Sequence, residues 1–208
     1  MTFEELLHLL KTAVFAEEID DRREEIAELI PQVKRMFDFN QQNHAHQYDL
    51  WLHCVHTVLN LPKSINDDML YLGALLHDIG KPVCQVKGKR EDDTNMHYYG
   101  HPARSMQIVK EEVIPELIQK GYLRSEDQQR KLIYYVEYHD DRVSLRLGHL
   151  RRHLQMVSFE EFQNLMQLEV ADAKAHVLIP IVQERIRICE QLAGEYGTEL
   201  YERIKSGE

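Results

Sequence analysis

A chain of 208 residues with 43% hydrophobic and 29% charged residues, 9 Gly and 6 Pro has the material for one domain with a full core and excludes a disordered or fibrous protein. The formal net charge of −10 disfavours nucleic acid as a partner without excluding it, since a general electrostatic grip rests on Lys and Arg neutralising phosphates. A small anionic substrate held through metal fits better.

Cys54, Cys84 and Cys189 are odd in number and form no CxxC pair, which argues for a reducing cytosol and against thiolate zinc. The opening MTFEELLHLL lacks the basic start and apolar stretch of a signal peptide, and no apolar run approaches the length of a membrane span. The expectation is a cytoplasmic protein with no membrane partner. Twelve histidines are the compositional oddity, because imidazole is the commonest metal ligand and a frequent catalytic group.

In chain order, Thr2-Phe3-Glu4-Glu5 reads as a capping box opening a helix to about Phe15, and a second helix is expected near Ile19 to Ile30. Pro31 opens a short segment to Phe39. Asn40 to His46 has no helical period and reads as a loop. Tyr48 to Leu59 is apolar on one side, predicting a helix that sets His53 and His56 one turn apart. Asn66-Asp67-Asp68 caps a helix whose run Met69 to Leu76 is apolar nearly all round, so it is central and delivers His77 and Asp78.

Gly80 and Pro82 stop that helix, and the polar stretch Val83 to Met96 reads as a mobile surface excursion, a candidate lid. Helices follow from Pro102 to about Gln119, from the Ser125 capping box to about His139, and from the Ser158 capping box to about Ala175. After Pro180 a last helix is expected to run to about Arg203. With no internal repeat and no long alternating pattern, the fold class is all-α: an irregular multi-helix bundle around a central apolar helix.

The chemistry-bearing residues are His53, His77, Asp78, His101, His139 and Asp172, spread over five helices or their ends. Mixed imidazole and carboxylate suits divalent Mn, Fe, Co or Ni, with Mg less natural for so many nitrogens. The C-terminal end of the central helix favours a cation, and a buried Asp78 needs one. A His-Asp dipeptide alone is weak, since His139-Asp140 is another.

The words Tyr48-Asp49-Leu50-Trp51-Leu52-His53, Leu75-Leu76-His77-Asp78-Ile79-Gly80-Lys81-Pro82, His97-Tyr98-Tyr99-Gly100-His101 and Tyr138-His139-Asp140 resemble HD-domain phosphohydrolases, most of all the HD module of bacterial tRNA nucleotidyltransferases. The likeness runs from Asn40 to Ala175. It implies that 1–208 is a single HD-type domain, with a motif-bearing core at about 40–176 and with helices before 39 and after 180 packed on it. It implies one metal ion on His53, His77, Asp78 and Asp172, and a second on His101 and His139 with Asp78 as bridge. Asp78 and Lys81 are the catalytic candidates. Lys81, His97, Arg104, His46 and Asp140 are the substrate-binding ones, Asp140 orienting His139 or assisting proton transfer.

The expected reaction is metal-assisted hydrolysis of a phosphodiester or phosphomonoester in a nucleotide, by attack of a metal-bound hydroxide with Lys81 steadying the developing charge. The polymerase motifs of a nucleotidyltransferase head are missing, and Ile-Gly-Lys after His77-Asp78 is unlike the acidic continuation of guanosine-tetraphosphate hydrolases. The alternatives are a non-catalytic metal- or nucleotide-binding regulatory module, and an RNA-processing 2′,3′-cyclic phosphodiesterase using Arg142, Arg146, Arg151 and Arg152 as a basic patch. His56 reads as packing or support for the site, and His8, His44, His149, His153 and His176 as structural or exposed. The sequence leaves substrate, metal identity and count, and oligomeric state open.

Overall fold

The computed structural model of the chain describes residues 1–90 and 92–208 and is all-α. The amino-terminal helices are α1 (Phe3–Thr12), α2 (Ala16–Asp20) and α3 (Arg23–Leu29), followed by a 3₁₀ stretch, Pro31–Met36. Thr2 and Glu5 close the expected capping box: the Glu5 N–H donates to Thr2 Oγ1 at 3.1 Å and the Thr2 N–H to Glu5 Oε2 at 2.7 Å. This first helix stops at Thr12 rather than Phe15, because the N–H groups of Val14 and Phe15 both donate to Glu18 Oε1, at 2.8 Å, and start the next one. The single helix expected from Ile19 to Ile30 is broken at Asp21-Arg22, a turn with Ile19 and Ile26 both in the core on either side of it.

Helices α4 (Leu50–Asn60), α5 (Asp68–Leu76), α9 (Glu126–Tyr138) and α11 (Phe159–Lys174) build the centre, with α4 and α11 packed on each other and α5 packed on α4, α9 and α11. All of Met69 to Leu76 is buried. Asp67 caps α5 by accepting from the N–H groups of Met69 and Leu70 at 3.0 and 3.3 Å, and its other oxygen accepts from the Tyr135 hydroxyl at 2.8 Å. One carboxylate therefore both starts the central helix and ties it to α9. Each large apolar side chain buried here contributes about 1.5–3 kcal/mol, so the helix end carrying His77 and Asp78 is a rigid platform.

Beyond Gly80 the chain makes a short helix, α6 (Lys81–Cys84), with Pro82 in its first turn. A Cβ on Gly80 would lie 2.6 Å from the Ser105 backbone nitrogen, and the Gly80 N–H donates to Ser105 Oγ at 2.9 Å. Only glycine permits this approach, which sets α7 (His101–Ile108) beside Asp78.

Residues 83–96, expected as a mobile excursion, include an antiparallel pair, β1 (Val86–Lys87) with β2 (Met96–His97). Glu91, inside that stretch, lies outside the described residues. The pair is anchored at its base, with the Met96 N–H on the Gln42 carbonyl at 2.9 Å and Asn43 Nδ2 on the Met96 carbonyl at 3.0 Å. Loop 40–49 and the hairpin thus form one wall.

The helix expected from Pro102 to Gln119 is continuous only through a π-type turn, Val109–Val113, before α8 (Ile114–Gln119). Pro115 withholds the N–H that an α-helix would direct to Glu111, and the ladder widens ahead of it. Helix α10 (Leu147–Leu154) follows α9. The last expected helix is two, α12 (Pro180–Ala193) and α13 (Glu195–Lys205), broken at Gly194. Gly197 then lies so close to the Leu192 carbonyl that a Cβ would come within 1.9 Å, so the reversal requires glycine there.

Candidate metal centre

Five helices bring His53, His77, Asp78, His101, His139 and Asp172 together beneath one cleft, with Asp78, His101, His139 and Asp172 in its lining and His53 and His77 fully buried behind them. His53 comes from the interior of α4, His77 and Asp78 from the end of α5, His101 from the start of α7, His139 from the end of α9 and Asp172 from α11. His53 Nε2 is 3.0 Å from Asp172 Oδ1 and 3.4 Å from Asp78 Oδ2, and His77 Nε2 is 3.2 Å from Asp78 Oδ2. On the other side of the same carboxylate, Asp78 Oδ1 is 3.1 Å from His101 Nε2 and 3.5 Å from His139 Nε2. Asp78 faces one group of ligating atoms with each oxygen.

Tautomers decide what these atoms can do. Nδ1 of His77, His101 and His139 lies 2.7, 2.9 and 2.8 Å from the carbonyl oxygens of Ala74, Tyr98 and Val136, each three residues earlier. A carbonyl only accepts, so each Nδ1 carries its proton and each neutral ring turns an Nε2 lone pair inward. His101 and His139 then oppose two lone pairs at 3.2 Å, which is repulsive unless a proton or a cation shares the space. His53 Nε2, His77 Nε2, Asp78 Oδ1 and Asp172 Oδ1 are buried and without a hydrogen-bond partner. Stranded polar atoms cost about 1–3 kcal/mol each, and these four converge. The donor set therefore fits one or two divalent cations.

The charges agree. Burial alone raises the Asp78 and Asp172 carboxyls, but Lys81, His77 and His101 around Asp78, and His176, His53 and His77 around Asp172, hold both well below the usual carboxylate range. His77 is pushed down by burial yet ends well above an ordinary imidazole because Asp78 faces it. The two carboxylates call for positive charge among the imidazoles, and a proton competes with a cation for the place. Cys54 is also within reach of His77 and Asp78, but burial raises its thiol and keeps it neutral.

The cleft above this cluster has a volume of about 370 Å³ and is lined by, among others, His46, Lys81, His97, Tyr99, Asp140 and Arg185. Of the residues expected to meet substrate, Arg104 is not in the lining: its guanidinium donates to Gln107 Oε1 at 2.6 Å, along α7. Lys81 is 4% exposed, with Nζ 2.6 Å from Asp78 Oδ2 and 3.1 Å from Gln41 Oε1. His97 pairs with Asp93 at 2.6 Å, and His56 stacks on Tyr48 with ring centres 4.0 Å apart, away from the ligating cluster.

Two lining residues escape the sequence reading. His176 donates Nδ1–H to the Asp172 carbonyl at 2.9 Å, and its ring lies 4.8 Å from His53 and 4.5 Å from His46. It stands one turn after Asp172, a spacing that was there to be seen. Burial lowers His176 to about 4 and His46 to about 2, so both are neutral at the rim. Arg185, from α12, donates to Asp140 Oδ1 at 2.8 Å, to the His139 carbonyl at 2.8 Å and to Glu169 Oε2 at 3.0 Å. No local pattern marks it, since its partners lie 16 to 46 residues away.

Glu169, fully buried on α11, is pushed by desolvation up to about 8 from 4.5, although Arg185 opposes this. Between those values the folded chain binds a proton that the unfolded chain has released, so this residue's contribution to stability falls as pH rises and levels off above about 8. Glu169→Gln, close in shape to the protonated form, is expected to match wild type in melting scans near pH 4, below both values, and to gain on it steadily up to about pH 8, by several kcal/mol at pH 9. Equal pH dependence in the two proteins would refute the assignment.

An all-helical bundle that gathers imidazole and carboxylate side chains from five helices at one cleft defines a helical domain whose buried cluster fits a divalent metal ion. The HD domain family model matches residues 6–175, and the chain belongs to that family, whose members are typically metal-dependent hydrolases. The matched region includes the amino-terminal helices and ends before α12 and α13. No curated protein and no solved structure matches the chain. Among the described residues, no helix is long and apolar enough to cross a membrane.

Proposed function

We propose that this HD domain protein is a metal-dependent phosphohydrolase acting on a nucleotide or a related small phosphoester. The observation that carries the reading is the convergence of unpartnered Nε2 and carboxylate atoms at the base of a cleft of about 370 Å³, the small end of the range for ligand pockets. His53, His77, Asp172 and one oxygen of Asp78 would hold one ion; the other oxygen, His101 and His139 would hold a second. A divalent cation there supplies Lewis acidity and charge neutralisation for displacement at phosphorus.

The chain's own residues do the rest. Lys81 fixes Asp78 through its 2.6 Å contact and keeps positive charge beside the reacting phosphoryl group. Arg185 holds Asp140 and the His139 carbonyl in place. Tyr99, 63% exposed, lies parallel to His97 with ring centres 5.3 Å apart at the cleft edge, a platform on which a nucleobase can stack. That platform favours a nucleotide over a base-free phosphoester. Stacking is worth about 1–3 kcal/mol per base, so Tyr99→Ala is expected to raise KM for nucleotides about tenfold or more while sparing bis(p-nitrophenyl) phosphate. Equal effects on both substrates would remove the support for a nucleotide.

Elemental analysis of the purified protein, joined to a hydrolysis screen over nucleotides, 2′,3′-cyclic nucleotides and generic phosphodiesters with Mn, Co, Ni and Mg, tests the whole reading. Bound metal with turnover is the expected result. Metal without turnover would favour a regulatory module, and failure to bind metal after reconstitution would overturn the site.

A further inference from the structure

A second cluster of ligating side chains lies outside the cleft. His149 and His153 stand one turn apart on α10, on one helix face, and Asp141, from the segment after α9, completes the group, with one ligating atom from each residue within 4.8 Å of the others. None of the three lines the cleft. His153 is fully buried, its Nδ1 2.9 Å from the Tyr134 hydroxyl and its Nε2 3.3 Å from Asp141 Oδ2. His149 is 8% exposed, and its Nε2 is buried with no hydrogen-bond partner.

Packing explains part of this. Both rings lie against Phe162, at 5.8 and 5.2 Å between centres, which accounts for their burial but not for a stranded nitrogen. A cation is already drawn to the place: Arg152 forms an ion pair with Asp141 Oδ2 and comes within 3.4 Å of His153 Nε2. Its side chain is 50% exposed, free to swing into solvent, and it leaves His149 Nε2 unpartnered. Two imidazoles and a carboxylate are ligands that zinc and similar divalent ions accept, with water filling the remaining position. Desolvation also keeps both rings neutral, His153 at about 4, so their lone pairs are available.

We propose that Asp141, His149 and His153 form a divalent metal site distinct from the HD cleft, suited to zinc, with Arg152 as the resident cation that the metal displaces. Such an ion clamps α10 to the segment immediately after His139 and Asp140. The proposal does not depend on the hydrolytic reading of the cleft.

Zinc titration against a chromogenic chelator, on the full chain, tests it. His149→Gln and Asp141→Asn are each expected to bind one zinc fewer per chain than wild type, with unchanged hydrolysis and helical content. Arg152→Ala is expected to keep the wild-type count and to bind that zinc about tenfold tighter. A peak beside Asp141 and His153 in anomalous diffraction at the zinc edge would place the ion. Unchanged stoichiometry in Asp141→Asn, a partly exposed and isosteric change that should not disturb folding, would overturn the proposal, as would loss of a zinc in Arg152→Ala.

Discussion

Asp78→Ala is expected to lower hydrolysis at least about 1000-fold and to release the metal, because it removes the carboxylate shared by both halves of the cluster. Loss of several kcal/mol of charge stabilisation, at 1.36 kcal/mol per tenfold in rate, gives that scale. The sequence alone leads one to expect an otherwise intact fold. The structure adds a cost: Lys81 is buried and its ammonium has Asp78 as carboxylate partner. Breaking such a pair from one side destabilises by about 3–5 kcal/mol, less whatever Lys81 recovers by losing its proton. Thermal melts with a chelator present should therefore show Asp78→Ala well below wild type. Asp172→Ala, whose carboxylate faces imidazoles rather than the ammonium, should lose metal with a smaller fall. Adding Lys81→Ala to Asp78→Ala should restore part of the stability, an interaction that a double-mutant cycle reads directly. Full activity in Asp78→Ala would refute the site.

Arg185→Ala is expected to lower kcat/KM about 10–100-fold, the usual scale for residues that orient ligands without binding the metal themselves. Its guanidinium fixes the His139 carbonyl and Asp140, so the loss should fall on the half of the cluster built from His101 and His139. Metal titration should show a weakened second ion with the first retained. The protein should stay folded, because Glu169 already favours its neutral form. Arg185→Lys should recover charge but not the fork that reaches three partners at once. Wild-type kinetics in Arg185→Ala would reduce this arginine to a structural tie between α12 and α11. The residue also lies beyond the part of the chain that the HD model matches, so activity dependent on it would make α12 part of the site.

Much of the outcome lies in local spacing. The capping boxes at Thr2, Ser125 and Ser158 begin helices where the side-chain chemistry requires, since a helix start depends on a few neighbouring residues. The apolar run Met69 to Leu76 forms the buried α5 for the same local reason, and the order of histidine and aspartate words carries the family. Other features depend on which elements end up side by side. The turns at Asp21 and Gly194 follow from core packing and a close backbone approach, with no strong breaker in the first case. Arg185 joins the cleft, and Asp141 meets the His149–His153 pair away from it, through contacts that local periodicity does not encode. The one-turn spacings of His176 from Asp172 and of Lys81 from Asp78 are local, and only their burial beside the cluster is tertiary. Sequence determined where the capped helices start, the kinds of candidate ligand and their order, because those rest on neighbours along the chain. Tertiary structure decided which lone pairs face one another and which charges stand buried without a partner, because both are set by distance in space.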